Sequence, residues 1–438
     1  MIQSIFFLII SGFLLSKAFF KFKTIYRNIN LGKNTTLEPS DQRLKNMVLF
    51  ALGQKKMFDK PIVGILHLFI YAAFIITQIE FLETIIDGFF GTHRIFSKFL
   101  GSFYTLIINS IEILSVFALV ATIIFLYRRN ILKLLRFQKP EMKGWPSMDA
   151  NLILFGEITL IFGIFLMNSS DQLLQQLDLK HYPTTGKFYL SSIISEHVLS
   201  AFPKDWLQLF ERLGWWIHYI TVLGFIVYLP TSKHLHIFLA FPNSYFSKTN
   251  SRGEMSAMPV IENEVRSMVG LDAKPINEPI SENFGAKDIF DLSWRNLLEA
   301  YTCTECGRCT SVCPANLTGK KLSPRKIMMD IRDRTEEIGQ KIDKANSNID
   351  ILQFEDGKSL FDKISREEIY ACTSCNACVE ACPVLINPLE PILELRRYDI
   401  LMNSSGPNDW LPMFNSLENN QSVWAIAEPR TKWISDNS

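Results

Sequence analysis

The chain has 438 residues, with 45 lysines and arginines against 44 aspartates and glutamates, a net charge of +1 at neutral pH. That balance argues against a nucleic-acid partner, and the length leaves room for two or three domains. The 48% hydrophobic content is divided unevenly: almost all of it lies before Phe241, and all eight cysteines lie after it in two clusters, with no pair placed as a disulfide framework would need. Such cysteine usage points to a reducing compartment.

Five apolar segments, roughly residues 2–20, 62–82, 103–127, 150–168 and 213–240, come first. Each is long enough to cross a bilayer core, which takes about 20 residues at about 1.5 Å of rise. The first, IQSIFFLIISGFLLSKAFF, lacks the basic start and small-residue cleavage site of a signal peptide and reads as an uncleaved helix. Loops 21–61 and 128–149 carry nine and six lysines and arginines; loops 83–102 and 169–212 carry two and four. The positive-inside rule therefore puts the N-terminus outside and the C-terminal half in the cytoplasm, with the chain multi-pass in the cytoplasmic (inner) membrane.

Four histidines fall on these segments. His67 sits in GILHLFIYAAF, about two turns into the second from its inner end; His218 sits in WWIHYITVLGF, near the outer end of the fifth; His234 and His236 sit in LPTSKHLHIF, at its inner end. An imidazole in lipid is expensive unless it faces the bundle interior or binds something, and haem iron is the obvious binder. His218 and His236, eighteen residues apart, would point the same way in an unbroken helix while lying roughly 27 Å apart, so they cannot share one haem. His67 with His236 is the favoured axial pair, with His234 as substitute if Pro230 kinks the helix. An outer haem at His218 is left open, since Thr77, Gln78 and Glu80 stand where its partner would be. Beside this stands the plainer reading, in which these histidines are interfacial or hydrogen-bond between helices. Glu112 and Glu157, also inside spans, either pass protons to a quinone or hydrogen-bond between helices.

From Pro242 to about Ile289 the chain turns polar and reads as a linker. YTCTECGRCTSVCP then places Cys303, Cys306, Cys309 and Cys313 in the spacing C-x2-C-x2-C-x3-C-P, and CTSCNACVEACP repeats it with Cys372, Cys375, Cys378 and Cys382. Two such runs hold two 4Fe-4S clusters, the fourth cysteine of each crossing to the other cluster; structural zinc favours isolated C-x2-C pairs. The expected quartets are Cys303, Cys306, Cys309 with Cys382, and Cys372, Cys375, Cys378 with Cys313. Fifty-eight residues separate the runs. Helical composition after Ser323, a candidate N-cap before Pro324, and again in PLEPILELRRYDILM gives an α-helical ferredoxin domain. Arg308 is expected to face solvent or hydrogen-bond cluster sulfur.

The expected architecture is all-α: a transmembrane haem and quinone module over 1–242, a linker over 243–289, a dicluster domain over 290–402 and a partner-docking tail over 403–438. The five-segment module with its eighteen-residue histidine spacing resembles the haem b subunit of respiratory nitrate reductase. YTCTECGRCTSVCPANLTGKKLSPRKIMMDIRD resembles the heterodisulfide-reductase-like iron-sulfur proteins. Their fusion is similar to membrane-bound electron-transfer-flavoprotein:quinone oxidoreductases. The resemblance implies an oxidoreductase electron-transfer subunit carrying two 4Fe-4S clusters and at least one b-type haem, and joining a cytoplasmic partner to the quinone pool. It departs from the nitrate-reductase pattern in having one histidine on the second segment. Larger relatives continue into a domain with two CCG motifs, so the expected partner is a separate cysteine-rich CCG-type subunit, itself contacting an electron-transfer flavoprotein. Trp410, Leu411, Met413, Phe414, Trp424 and Trp433 form the candidate docking strip. Two other readings remain: quinol oxidation delivering electrons to a thiol or disulfide partner, and a non-catalytic membrane-tethered redox sensor.

Overall fold

The computed structural model describes residues 2–35, 37, 40–251, 253–276, 283–344, 354–423 and 431–436. Five helices are long and apolar enough to cross a membrane: α1 (Ile2–Ile29), α2 (Pro61–Phe90), α3 (Ser102–Asn130), α4 (Trp145–Leu177) and α5 (Lys204–Tyr228). α1 to α4 run past the apolar segments that mark them, because polar residues at their ends continue the backbone hydrogen bonding into the loops. Large apolar side chains such as Phe6, Ile9, Phe13, Phe19 and Ile62 lie exposed along them, a surface that suits lipid and not water.

Small residues set the packing. At Gly214 of α5 a Cβ would sit 2.5 Å from the Met167 nitrogen, and at Gly163 of α4 it would sit 2.9 Å from the His218 nitrogen, so these two helices meet backbone to backbone. Phe7 of α1 lies against Gly88 of α2 and stacks near Trp215 and Tyr219 of α5. Ser11 and Tyr219 share a 2.6 Å hydrogen bond.

The fifth segment departs from expectation. It is not one helix over 213–240: α5 ends at Tyr228, two short 3-10 turns follow, and a separate helix α6 (His236–Phe246) begins at the histidine itself. Pro230 lacks the N–H that would continue the ladder. Asp149 of α4 then pins the break, accepting hydrogen bonds from Tyr228 Oη (2.5 Å), Ser232 Oγ (2.6 Å) and the Lys233 nitrogen (3.1 Å). The eighteen-residue register between His218 and His236 is therefore lost.

The connector between the two halves bears an exposed helix, Pro259–Met268. Packing reaches into both ends of the expected linker, since Asn243 and Ser244 are buried in α6 and Ala286 is buried in the following domain. That domain is helical, with α7 (Trp294–Thr302), α8 (Pro324–Lys344) and α9 (Leu389–Leu401) around a core including Leu297, Ile327, Ile331, Ile369 and Leu395. Ser293 opens α7 with a reciprocal capping box to Asn296. Ser323 Oγ accepts from the Lys326 nitrogen at 3.4 Å, capping α8 as its place before Pro324 suggests. No ladder of strands occurs among the described residues; Lys33 and Ser293 make one isolated bridge.

The domain sits directly on one end of the bundle. Asn28 of α1 donates to Tyr301 Oη at 3.0 Å, and the Lys33 nitrogen donates to the Leu292 carbonyl at 2.7 Å. In the tail, Trp410 packs against Tyr370 with ring centroids 5.4 Å apart, while Leu411, Phe414 and Trp433 are exposed and Met413 is half-buried. Trp424 lies outside the described residues.

Candidate redox centres

Each cysteine run is built from helix ends. Cys303 caps the C-terminus of α7, Glu305 and Gly307 take positive φ, the short helix Arg308–Val312 carries Cys309, and Cys313 closes it before Pro314 starts the next turn. The second run copies this: Ser374 and Asn376 take positive φ, helix Ala377–Ala381 carries Cys378, and Cys382 closes it. The two short helices pack against each other, which carries the fourth cysteine of each run across to the other's first three.

The result is two hollows. One is lined by Cys303, Cys306, Cys309 and Cys382, together with Met328, Val384 and Ile386. The other is lined by Cys313, Cys372, Cys375 and Cys378, with Ala315, Leu322 and Ile392. No group of three or more His, Cys, Asp or Glu side chains among the described residues converges as a site for a single metal ion. The sulfurs instead stand around a cavity, as a multi-atom cluster requires. Backbone N–H groups point at sulfur: Ser374 to Cys372 at 3.4 Å and Ile386 to Cys382 at 3.3 Å. Burial pushes the free Cys303 thiol up to about 11 and the Cys378 and Cys382 thiols up to about 12. Thiolates are stable in such hollows only beside bound metal charge, so the donor set fits iron-sulfur clusters.

The two hollows face different surroundings. Arg308 does not face solvent: it is buried, lines the first hollow and donates to the Lys56 carbonyl at 2.9 Å, and its second terminal nitrogen reaches the Met57 carbonyl at 3.4 Å and Met57 Sδ at 3.6 Å. Both carbonyls lie in the loop before α2, where a five-donor guanidinium can serve several acceptors at once. Glu305 pairs with Lys233, beside His234, and with Arg332 at 2.8 Å. Arg325 of α8, fully buried, donates to the Arg136 carbonyl (2.8 Å) and to Glu141 (2.7 Å) in the loop between α3 and α4. Sequence reasoning missed this seam, although acidic and basic residues inside a cysteine motif were a signal for it.

At the same end of the bundle, His67 Nδ1 lies 3.0 Å from Gln54 Oε1 and His236 Nδ1 lies 3.0 Å from the Lys233 carbonyl. Each ring thus has an acceptor on one nitrogen, which leaves Nε2 as its other donor atom, the arrangement that orients metal-binding imidazoles. The His234 ring is 5.9 Å from that of His236, and its Nδ1 is buried without a hydrogen bond. His218 lies apart, beside Phe81 at 6.3 Å between ring centroids, with both ring nitrogens buried and unpartnered among the described residues. Glu112 is held by Asn168 (3.3 Å), by the Leu190 and Ser191 nitrogens (3.1 Å each) and by the Ser191 hydroxyl, so it hydrogen-bonds between helices. Glu157 is half-buried on α4.

Residues 302–386 match the family model of a 4Fe-4S dicluster domain. The chain is 27% identical to the "Probable iron-sulfur-binding oxidoreductase FadF" of Bacillus subtilis, covering 98% of this chain and 60% of the relative. It is 26% identical to the "EtfAB:quinone oxidoreductase" of Syntrophomonas wolfei, covering 90% of this chain and 54% of the relative. Over 36% of its length it is 27% identical to a "Probable membrane-anchored ferredoxin" of Chromohalobacter salexigens, of which that match covers 24%. The chain thus spans little more than half the length of the two relatives that match it most fully. No solved structure matches it. These likenesses, the dicluster domain and the five apolar helices support a membrane electron-transfer role of the oxidoreductase kind, with two 4Fe-4S clusters.

Proposed function

We propose that the chain passes electrons between a redox partner on its cluster side and the quinone pool, through two 4Fe-4S clusters and a b-type haem. Cys303, Cys306, Cys309 and Cys382 hold one cluster and Cys313, Cys372, Cys375 and Cys378 the other; His67 and His236 hold the haem. The observation that carries this reading is the pair of four-cysteine hollows, one of them joined through Glu305 and Lys233 to the loop bearing His234 and His236. When bound, these groups supply one-electron chemistry that no side chain here offers.

The chain's own residues do the rest. The seam holds the first quartet against the membrane half and keeps water from it, while Cys375 of the second quartet is exposed and marks the face open to a partner. Gln54 and Lys233 orient the two imidazoles. The printed name of the Syntrophomonas relative favours quinone as acceptor and an electron-transfer flavoprotein as ultimate donor. A cysteine-rich CCG-type subunit is the proposed partner at the Cys375 face.

The test is the full chain purified in detergent. Expected are about eight irons per chain and a reduced-state EPR spectrum of two interacting clusters. A low-spin b-type haem spectrum should vanish in His67→Ala and in His236→Ala with both cluster signals kept. A zinc-loaded, iron-free protein would end the cluster reading, and an undiminished haem spectrum in both variants would end the haem assignment.

A further inference from the structure

The end of the bundle remote from the cysteine domain holds a buried polar network that the reading above does not use. Arg94, in the loop after α2, is almost fully buried and joins several of its members. Its guanidinium donates to Asn168 Oδ1 (2.5 Å) and Tyr104 Oη (3.1 Å) and lies 3.3 Å from Asp171. Tyr104 in turn donates to Glu83 at 2.7 Å. Asp171 Oδ1 lies 2.8 Å from His93 Nε2, and the other edge of that ring is 3.3 Å from Arg212 and 3.9 Å from Glu211. His93 and Arg212 are the members that reach solvent, with side chains 18% and 35% exposed.

Five carboxyls are buried here: Glu80 and Glu83 on α2, Glu112 on α3, Asp171 on α4 and Glu211 on α5. Four have a compensating arrangement. Glu83 receives the Phe96 nitrogen and Tyr104, Glu112 receives three donors from Leu190 and Ser191, Asp171 has Arg94, His93 and Gln175, and Glu211 has Arg212. Glu80 has only weaker neighbours, Arg94 and the Asn168 amide, both engaged elsewhere. Both its oxygens are buried with no hydrogen-bond partner among the described residues, and its nearest cation, Arg94, is 3.8 Å away and already shared. Arg94 is fixed in place without it. The hydroxyls of Ser169 and Ser170, in the same turn of α4 as Asn168 and Asp171, are likewise buried and unpartnered, as groups that hold water are.

An ionised carboxylate with no donor inside a membrane bundle is costly, whereas a protonated one is neutral and carries its own donor. We propose that Glu80 is an internal proton-binding site that exchanges with the bundle's far surface through Asn168, Arg94, Asp171 and His93 and the water held by their neighbours. The ligand is a proton. Its use rests on the reading above: a quinone becomes a quinol by taking two electrons and two protons, and a carboxyl open to one face can relay the protons while the cofactors bring the electrons. The site itself depends on neither haem nor quinone, so its test is separable.

That test is infrared spectroscopy of the oxidised full chain in detergent at neutral pH. A protonated-carboxyl C=O band that shifts in heavy water, disappears in Glu80→Gln and returns displaced in Glu80→Asp is expected. Absence of the band in the wild type, or its persistence unchanged in Glu80→Gln, overturns the site. Deuterium should enter the band more slowly in His93→Phe than in the wild type; an equal rate overturns the path through His93.

Discussion

Position for position, Cys303 to Pro314 and Cys372 to Pro383 follow the same path: Glu305 and Ser374 take φ of 54° and 53°, and Gly307 and Asn376 take 71° and 61°. The side chains hung on that path differ. A Cβ at Gly307 would stand 2.5 Å from the Arg325 guanidinium, so the first run needs glycine for space as well as for φ, whereas the second keeps an asparagine. Glu305 and Arg308 are buried against the membrane half; their counterparts are Ser374 and Ala377. Cys306 is half-buried and Cys375 exposed. The second run touches the membrane half through Lys56, which donates to the Glu380 carbonyl at 2.8 Å, and through Asn243, which donates to the Val384 carbonyl at 2.7 Å. One repeated ligand frame is thus specialised by three non-ligand positions, one copy for docking on the bundle and the other for a face open to solvent.

The largest effect is expected on removing one ligand from each copy. Cys306→Ser and Cys375→Ser should each lower the iron content from about eight to about four per chain. Both should abolish electron delivery from a cluster-side donor to the membrane half. They should differ in the seam: protease cleavage of the 128–149 loop is expected to rise in Cys306→Ser and to stay at the wild-type level in Cys375→Ser. Loss of both clusters from Cys375→Ser would show that the two hollows are not independent.

A smaller effect isolates the non-ligand positions. Glu305 is 3% exposed and bonded to a Lys233 that is 9% exposed, so Glu305→Gln leaves that buried cation with Asp149 at 3.9 Å and the Pro146 carbonyl, at a cost of about 1.5 to 3 kcal/mol. Hydrogen exchange should quicken at Lys56, Met57 and the Lys233 to His236 turn. Ser374→Ala, at the matching position of the other copy, should change stability by no more than about 0.5 kcal/mol. Equal losses at the two positions would erase the distinction.

What could be read from the sequence was what is local in it. The cysteine runs each span only eleven residues, and the apolar segments announce themselves by length, so fold class and cluster count were legible. Pro230 announced a disturbance, yet the size of the break depended on Asp149, 79 to 84 residues away in the chain from the groups it binds. The seam was illegible for the same reason. Arg308 finds its acceptor 252 residues away and Arg325 finds Glu141 184 residues away, and no periodicity encodes such meetings. Glu80 drew notice because it is no histidine; its lack of partners shows only when Arg94, Asn168 and Asp171 are in place.

The Arg334 cluster lies in the cluster domain away from the seam and serves as the contrast to it. Arg334 of α8 is nearly fully buried and bonds Asp288 at 2.6 Å and Asp356 at 2.7 Å, tying the segment before α7 to the segment after residue 353. Its guanidinium, aided by Lys341, holds the Asp356 carboxyl well below the ordinary aspartate range. A carboxyl with a lowered folded pKa contributes stability that is fully present above its unfolded value, about 3.9, and is lost as the pH falls through the folded value. In Asp356→Asn that contribution is gone at every pH. The thermal midpoint of the cluster domain should therefore be lower than wild type at pH 7, and the gap should narrow as the pH falls below about 4. Hydrogen exchange at Lys56 and Met57 should not change. A gap that stays constant from pH 7 to about 3 would show that Asp356 acts there as a hydrogen-bond acceptor with no charge contribution, and faster exchange at Lys56 would show that the seam and the Arg334 cluster are one cooperative unit.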